Sequence, residues 1–297
     1  MATNDQQNKL LNIIEINNEE VANVRNSILL NAHFIEKEMV MNKVDVPNPK
    51  FMDAIAESTK YLLENAPEYD RFAVLTGITL LNKYDREHKY ELTEKISQDD
   101  LDASSFIKTG RKENSKKIKK SRANIKFLEE RSSHRLFEQR ILSKEEILSI
   151  ISTASNAPTA CNRQPCKIIY GLTKEENDVL RNIVPDGFVR TNIPNFFAII
   201  CDASYFNKGE ELQDYVNGGI FLQNLLLAIE AHGYGATAFQ TPVLAGINEN
   251  NKKALGLSET EFILATIGYG IPIKKSLTAA AQKRPAEYMS RRVKNEN

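Results

Sequence analysis

The chain has 297 residues and balances 39 basic against 39 acidic side chains, so nothing in its overall charge points to nucleic acid or an anionic membrane. Hydrophobic residues make up 41% and charged residues 26%, which is ordinary for a soluble globular protein and leaves ample material for a core. No apolar run reaches the ~18 residues of a membrane-crossing helix, and three cysteines (Cys161, Cys166, Cys201) match neither a disulfide framework nor a zinc pattern.

The first stretch, "MATNDQQNKLLNII", is polar and lacks the basic-then-apolar order of a secretory leader, so a reducing, cytoplasmic setting is expected. "EVANVRNSILLNAHFIEKEMV" places Val21, Val24, Ile28, Ala32 and Ile35 at helical spacing. Pro47 and Pro49 break that pattern, "KFMDAIAESTKYLLENA" predicts a second helix ended by Pro67, and "DRFAVLTGITLLNKYDREH" predicts a third. Between Lys108 and Lys126 nine basic residues stand against one acidic, which reads as a solvated linker or helix face before it reads as a phosphate contact. We therefore divide the chain into residues 1–127, a helical extension with a basic linker, and residues 128–297.

The second part alternates element types. "SKEEILSIISTASNA" opens on a capping box, Ser143 with Glu146, and carries the stripe Ile147, Ile150, Ile151 and Ala154. "CKIIYGL" predicts a strand, "KEENDVLRNIV" a helix and "NFFAIICDA" a strand buried on both faces. "LQDYVNGGIFLQNLLLAIEAHGYG" is a long helix, apolar on most of its circumference and stopped by Gly233 and Gly235. "NENNKKALGL" predicts a short helix and "EFILATIGYG" the last strand, followed by a tail with no core of its own. The layout is α+β, a central sheet with helices on its faces. One sheet covers one side of the long helix, so a second copy is expected to cover the other, in an obligate dimer built on residues 212–232.

Two stretches could carry chemistry. In "RSSHRLF", an extended backbone would put Arg131, Ser133 and Arg135 on one side with Ser132 between them, a fork of donors for a phosphate; a surface arginine pair capping the next helix fits the spacing equally well. In "APTACNRQP", Asn162 and Gln164 carry amides that can read the mixed donor and acceptor edge of a flat heterocycle, although turn chemistry alone accounts for such a composition.

As an ordered set, "RSSHRLF", "ASNAPTACNRQP", "GGIFLQNLLLAIEAHGYGATAF", "ALGLSETEFILATIGYGIP" and "KRPAEYM" resemble the signatures of the nitroreductase-like FMN-dependent oxidoreductases, over residues 128 to 292. The resemblance implies a nitroreductase-like fold with a mainly antiparallel sheet flanked by helices. It implies a homodimer with FMN at each of two subunit interfaces. By position, Arg131, Ser132, Ser133 and Arg135 match the segment that holds the FMN phosphate, joined by Lys283 and Arg284 from the tail. Pro158, Thr159, Ala160, Asn162 and Gln164 match the loop that the other subunit lays on the flavin. Ala238, Phe239, Gln240 and Thr241 match a loop along the flavin ring whose backbone amide reaches the reactive nitrogen. The implied reaction is ping-pong, with NADH or NADPH reducing FMN and an electron-poor acceptor, nitroaromatic or quinone-like, reoxidising it. No catalytic side chain is implied, since the flavin carries the chemistry.

The chain departs from the pattern twice. Cys166 follows "QP" where the family often has Trp, and reads as a core residue before a reactive thiol. The extension carries "HFIEKEM", similar to a segment in a subset of the family, some members of which look associated with polysaccharide biosynthesis; His33 and Lys37 share one helix face and either line the flavin cleft or form an ordinary polar surface. The competing expectations are a homologue that binds flavin or a partner without turnover, and nucleic-acid binding through residues 108–126.

Overall fold

The computed structural model describes residues 19–42, 45–66, 68–85, 96–105, 107–108, 120–184, 192–240, 247–279 and 283–293. Three helices lead: α1 (Glu19–Met41), α2 (Pro49–Asn65) and α3 (Arg71–Tyr84). Local chemistry sets their limits. Asn48 caps α2 by accepting from the Lys50 N–H and Pro49 takes the first helical position, while Asp70 caps α3 by accepting from the Ala73 N–H. Their apolar stripes close two clusters of their own, one around Ile28, Leu62, Val74 and Ile78, the other around Ile35, Ile55 and Leu80. The basic stretch lies mostly outside the described residues. It runs into α4 (Gln98–Ser104) on one side and α5 (Arg122–Glu130) on the other, and no residue of α5 is buried.

The second part begins on an extended segment and then α6 (Lys144–Ala154), whose capping box is formed as the sequence predicts: Ser143 accepts from Glu146 N–H and the Glu146 carboxylate accepts from Ser143 N–H. Next come β1 (Cys166–Tyr170), α7 (Lys174–Ile183), β2 (Asn195–Asp202), α8 (Gln213–Ala231), β3 (Gly235–Gln240), α9 (Ile247–Ala254), β4 (Glu261–Gly270) and a single turn, α10 (Ala286–Met289). The four strands form one antiparallel sheet in the order β1-β2-β4-β3. Alternate residues of β2 feed opposite faces. Phe197, Ile199 and Cys201 pack with α6 and α8, while Phe196, Ala198 and Ile200 pack with α7. The fully buried β2 is the strand that the continuous apolar run predicts.

The long helix ends as a Schellman motif: Gly233, at φ 82°, donates to Glu230 C=O, and Tyr234 donates to Ile229 C=O. Its outer side is left apolar, with Leu212, Val216 and Ile220 exposed. One expectation fails. Residues 238–240, read as a loop, are the end of β3, in register with Ile267, Thr266 and Ala265 of β4. The ladder to β4 overrides the weak strand signal of "GATAFQ".

Candidate functional site

The "RSSHRLF" segment is extended and joins the outer edge of the sheet. Ser133 bridges Ala236 of β3 in parallel, His134 N–H donates to Ala236 C=O at 2.9 Å, and Phe137 bridges Pro272. Gly235 permits this approach: a Cβ there would stand 2.7 Å from the His134 ring and 2.8 Å from Pro272. Arg131, Ser132 and Ser133 are half-buried and Arg135 is exposed. Arg135 donates weakly to the Ser133 carbonyl at 3.4 Å, and neither arginine makes an ion pair among the described residues. Glu230 on α8 is pushed up by burial, with Arg131 and then His134 opposing that shift, so Arg131 is the strongest positive influence on that carboxyl.

The edge of β3 continues past this segment. Because the Ala236 carbonyl points away from β4, the main-chain groups two and four residues on, at Ala238 and Gln240, point the same way. The edge therefore offers outward N–H donors beside two arginines that form no ion pair among the described residues. Phe239 instead turns its ring into the core, 6.5 Å from that of Phe196. Thr241 and the side chain of Gln240 lie outside the described residues.

The "APTACNRQP" loop lies at the other edge, ahead of β1. With strands about 4.8 Å apart, β1 and β3 stand roughly 14 Å from each other across the sheet. The loop is a tight 3-10 turn (Ala160–Asn162) in which Cys161, Asn162 and Gln164 all take positive φ, at 51°, 53° and 54°. Asn tolerates that region and the others are held there at a cost. One contact from outside the loop and one within it hold them: the buried Asn217 of α8 accepts from Ala160 N–H at 2.7 Å, and the Thr159 hydroxyl accepts from Gln164 N–H at 3.1 Å. Asn162 and Gln164 are exposed, their only described mutual contact a 3.4 Å bond from the Gln164 amide to the Asn162 carbonyl. Pro158 is exposed as well, and Thr159 and Ala160 are half-buried. The amides are thus free for a ligand rather than consumed by burial.

Sequence reasoning passed over Arg163. It is 2% exposed, and its guanidinium donates to Glu210 at 2.7 Å and to the Tyr205 carbonyl at 3.2 Å. It also passed over the seam that joins α1 to the sheet part. Arg25, equally buried, donates to the Ser204 carbonyl at 2.7 Å, lies 3.6 Å over the Tyr205 ring and faces Asp70 and Asp202. Tyr205 donates to Asp70 at 3.0 Å. Through this seam α1 lies on the loop, where His33 and Glu36 share a small cavity with Thr76, Lys108 and Asn162. Burial, then Lys37, then Arg163 push the His33 imidazole below its usual range. Lys283 and Arg284, by contrast, are exposed on the tail.

Residues 128–203 match the model of the nitroreductase family. The sheet and its helices superpose on solved structures from Parabacteroides distasonis and Bacteroides thetaiotaomicron, each named an NADH dehydrogenase/NAD(P)H nitroreductase. The TM-score is 0.50 for both, at 21% and 22% identity, over 58% of this chain and 98% of either of those. The fold is that of the nitroreductase family. A third structure with this nitroreductase fold, NfrA1 of B. megaterium, has a TM-score of 0.50 at 21% identity over 59% of this chain and 75% of its own. No curated protein matches the sequence. Among the described residues no helix is long and apolar enough to cross a membrane.

Proposed function

We propose that this chain is an FMN-dependent oxidoreductase that takes hydride from NADH or NADPH and passes it to an electron-poor acceptor, working as a homodimer with FMN at the subunit interface and residues 1–127 as a helical extension. The observation that carries this reading is the edge of β3, where Arg131 and Arg135 form no ion pair among the described residues and stand beside outward main-chain N–H groups. A phosphate monoester needs fixed cations and hydroxyl donors, which Arg131, Ser132, Ser133 and Arg135 supply. An electron-rich ring needs a donor that costs nothing to orient, which the backbone at Ala238 supplies. The residues present therefore fit FMN.

When bound, FMN would supply the hydride acceptance and donation itself. The chain's own tasks are holding and excluding. Arg131 and Arg135 anchor the phosphate, with Lys283 and Arg284 brought in from the tail, and residues 238–241 lie along the ring. Pro158, Thr159, Ala160, Asn162 and Gln164 cover the ring from the second copy. The separation of that loop from Arg131 and Arg135, at opposite edges of one sheet, supports a site shared between two copies. The exposed apolar side of α8 supports the contact between them.

The test is a flavin titration. Purified protein should be yellow or become so with added FMN, and NADH or NADPH should be consumed in the presence of a quinone or nitroarene. Replacing Arg131 and Arg135 together by Ala should weaken FMN binding by roughly a hundredfold, from two lost charge-assisted contacts. Unchanged affinity would misplace the phosphate site, and a protein that binds no FMN would end the reading.

A second reading keeps the flavin and drops turnover. It is favoured by the lie of α1 on the amide loop, with His33 beside Asn162, which closes one approach to that loop. Bound FMN that neither nicotinamide reduces would decide for it.

A further inference from the structure

Cys166 opens β1, and its register partner in β2 is Cys201. In an antiparallel ladder, hydrogen-bonded and non-hydrogen-bonded pairs alternate. Asp202 N–H donates to the Pro165 carbonyl at 3.0 Å, so that pair is the bonded kind and the next, Cys166 with Cys201, is the other. At such a pair the Cα atoms approach to about 4.5 Å, at the short end of the span a disulfide bridges. The two Sγ atoms are already 3.3 Å apart. Cys201 cannot swing away, since α8 crosses it at Gly218, where a Cβ would stand 2.7 Å from its sulfur.

The two thiols differ in access. Cys201 is fully buried, whereas Cys166 is half-buried and lines a groove of about 1050 Å³ between the start of α1, the turn after β2 and the approach to β4. We propose that Cys166 and Cys201 are a redox pair that closes into a cross-strand disulfide when a peroxide enters this groove. Peroxide oxidises Cys166 to the sulfenic acid and leaves as water. The Cys201 sulfur then attacks the Cys166 sulfur, the S–O bond breaks, and the hydroxyl departs as a second water with the Cys201 proton. The hydrogen bond to Cys166 and burial hold the Cys201 thiol well above the usual range, which keeps it from reacting first, and its place 3.3 Å from the Cys166 sulfur makes it the thiol at hand for the second step. A dithiol reductant reverses the bond by exchange. Closed, the bond fastens the end of the amide loop, at Pro165 and Cys166, to the central strand β2.

Full-length protein treated with hydrogen peroxide and digested without reduction should yield a peptide joining Cys166 to Cys201. Thiol titration should fall from the three free cysteines to one and return to three with dithiothreitol. In Cys166→Ser no cross-link should form and the two remaining thiols should resist the same treatment, with an unchanged melting curve reporting that the fold is intact. Sulfinic acid on Cys166 beside a free Cys201, no thiol lost at all, or a bond running through Cys161 would each overturn the pair. None of these readings depends on whether flavin is bound.

Discussion

Arg163 sits in a loop at a position where a charged side chain would ordinarily face water. It is buried because Asn162 and Gln164 take left-handed backbone on either side of it and aim it inward, under Phe206 and onto Glu210. Its ion pair is one-sided, with the arginine side chain 1% exposed and the glutamate 33%, so removing the arginine leaves a carboxylate that water can still reach. Arg163→Ala should therefore cost about 3 kcal/mol, below the full penalty of an abandoned buried charge, as read by urea unfolding. Glu146 makes a different claim. The Ser143 backbone N–H, then the Tyr234 hydroxyl and Arg140, bring its carboxyl down from 4.5 to about 2. A folded value below the unfolded one gives stability that is full above about pH 4.5 and lost as pH falls towards 2. Glu146→Gln should lower the unfolding midpoint at neutral pH, and the gap to the parent should narrow as the solution is acidified; a constant gap would show that charge plays no part. The group faces solvent, so the effect is screened and modest.

At the scale of elements, periodicity was a good guide wherever a segment buries one face. The helices at Glu19–Met41, Pro49–Asn65 and Arg71–Tyr84 lie where their apolar spacing and prolines predict. The strands β2 and β4 follow from continuous apolar runs, and the stop of α8 from its glycines. Two elements were illegible for different reasons: α5 has no buried residue and is hidden in a basic run, while β3, though largely buried, reads as a loop because glycine and alanine carry little strand signal. The residues of the candidate site were legible as a set of types, but not their arrangement. Which main-chain groups face outward is fixed by pairing with β4, and the burial of Arg163 by residues 42 and 47 positions away. The contact of residues 131–137 with β3 is the element on which the proposed cofactor site turns. Gly235→Ala would press a methyl group into His134 and Pro272. It should cost about 1–3 kcal/mol of stability and lower FMN affinity more than it lowers the melting temperature would suggest.

At the scale of the molecule, α8 and the residue before it leave Leu212, Val216 and Ile220 exposed by 67%, 52% and 39%, at helical spacing on one side. A second copy is the occupant that the shared-site reading requires. Ile220→Asp should shift sedimentation from dimer towards monomer and release flavin in the same step. A monomer that keeps its flavin would separate cofactor binding from assembly. The extension contributes differently: its first three helices hold their own apolar clusters and meet the rest through charges and hydrogen bonds around Arg25, Asp70 and Tyr205. Arg25→Met should loosen that seam, seen as faster protease cleavage of the extension, while the sheet keeps its cooperative melt.

That seam also constrains how the chain is born. Arg25 leaves the ribosome early, yet the carbonyl it binds belongs to a residue 179 positions later. The helices of the extension can form as they emerge, but they have nothing to dock on until the turn after β2 has been made and shaped. Closing so long a loop is a slow event. Docking of α1 on that turn therefore comes only after residues 203–205 have been made, and the surface it will cover stays open to the cell's chaperones until then.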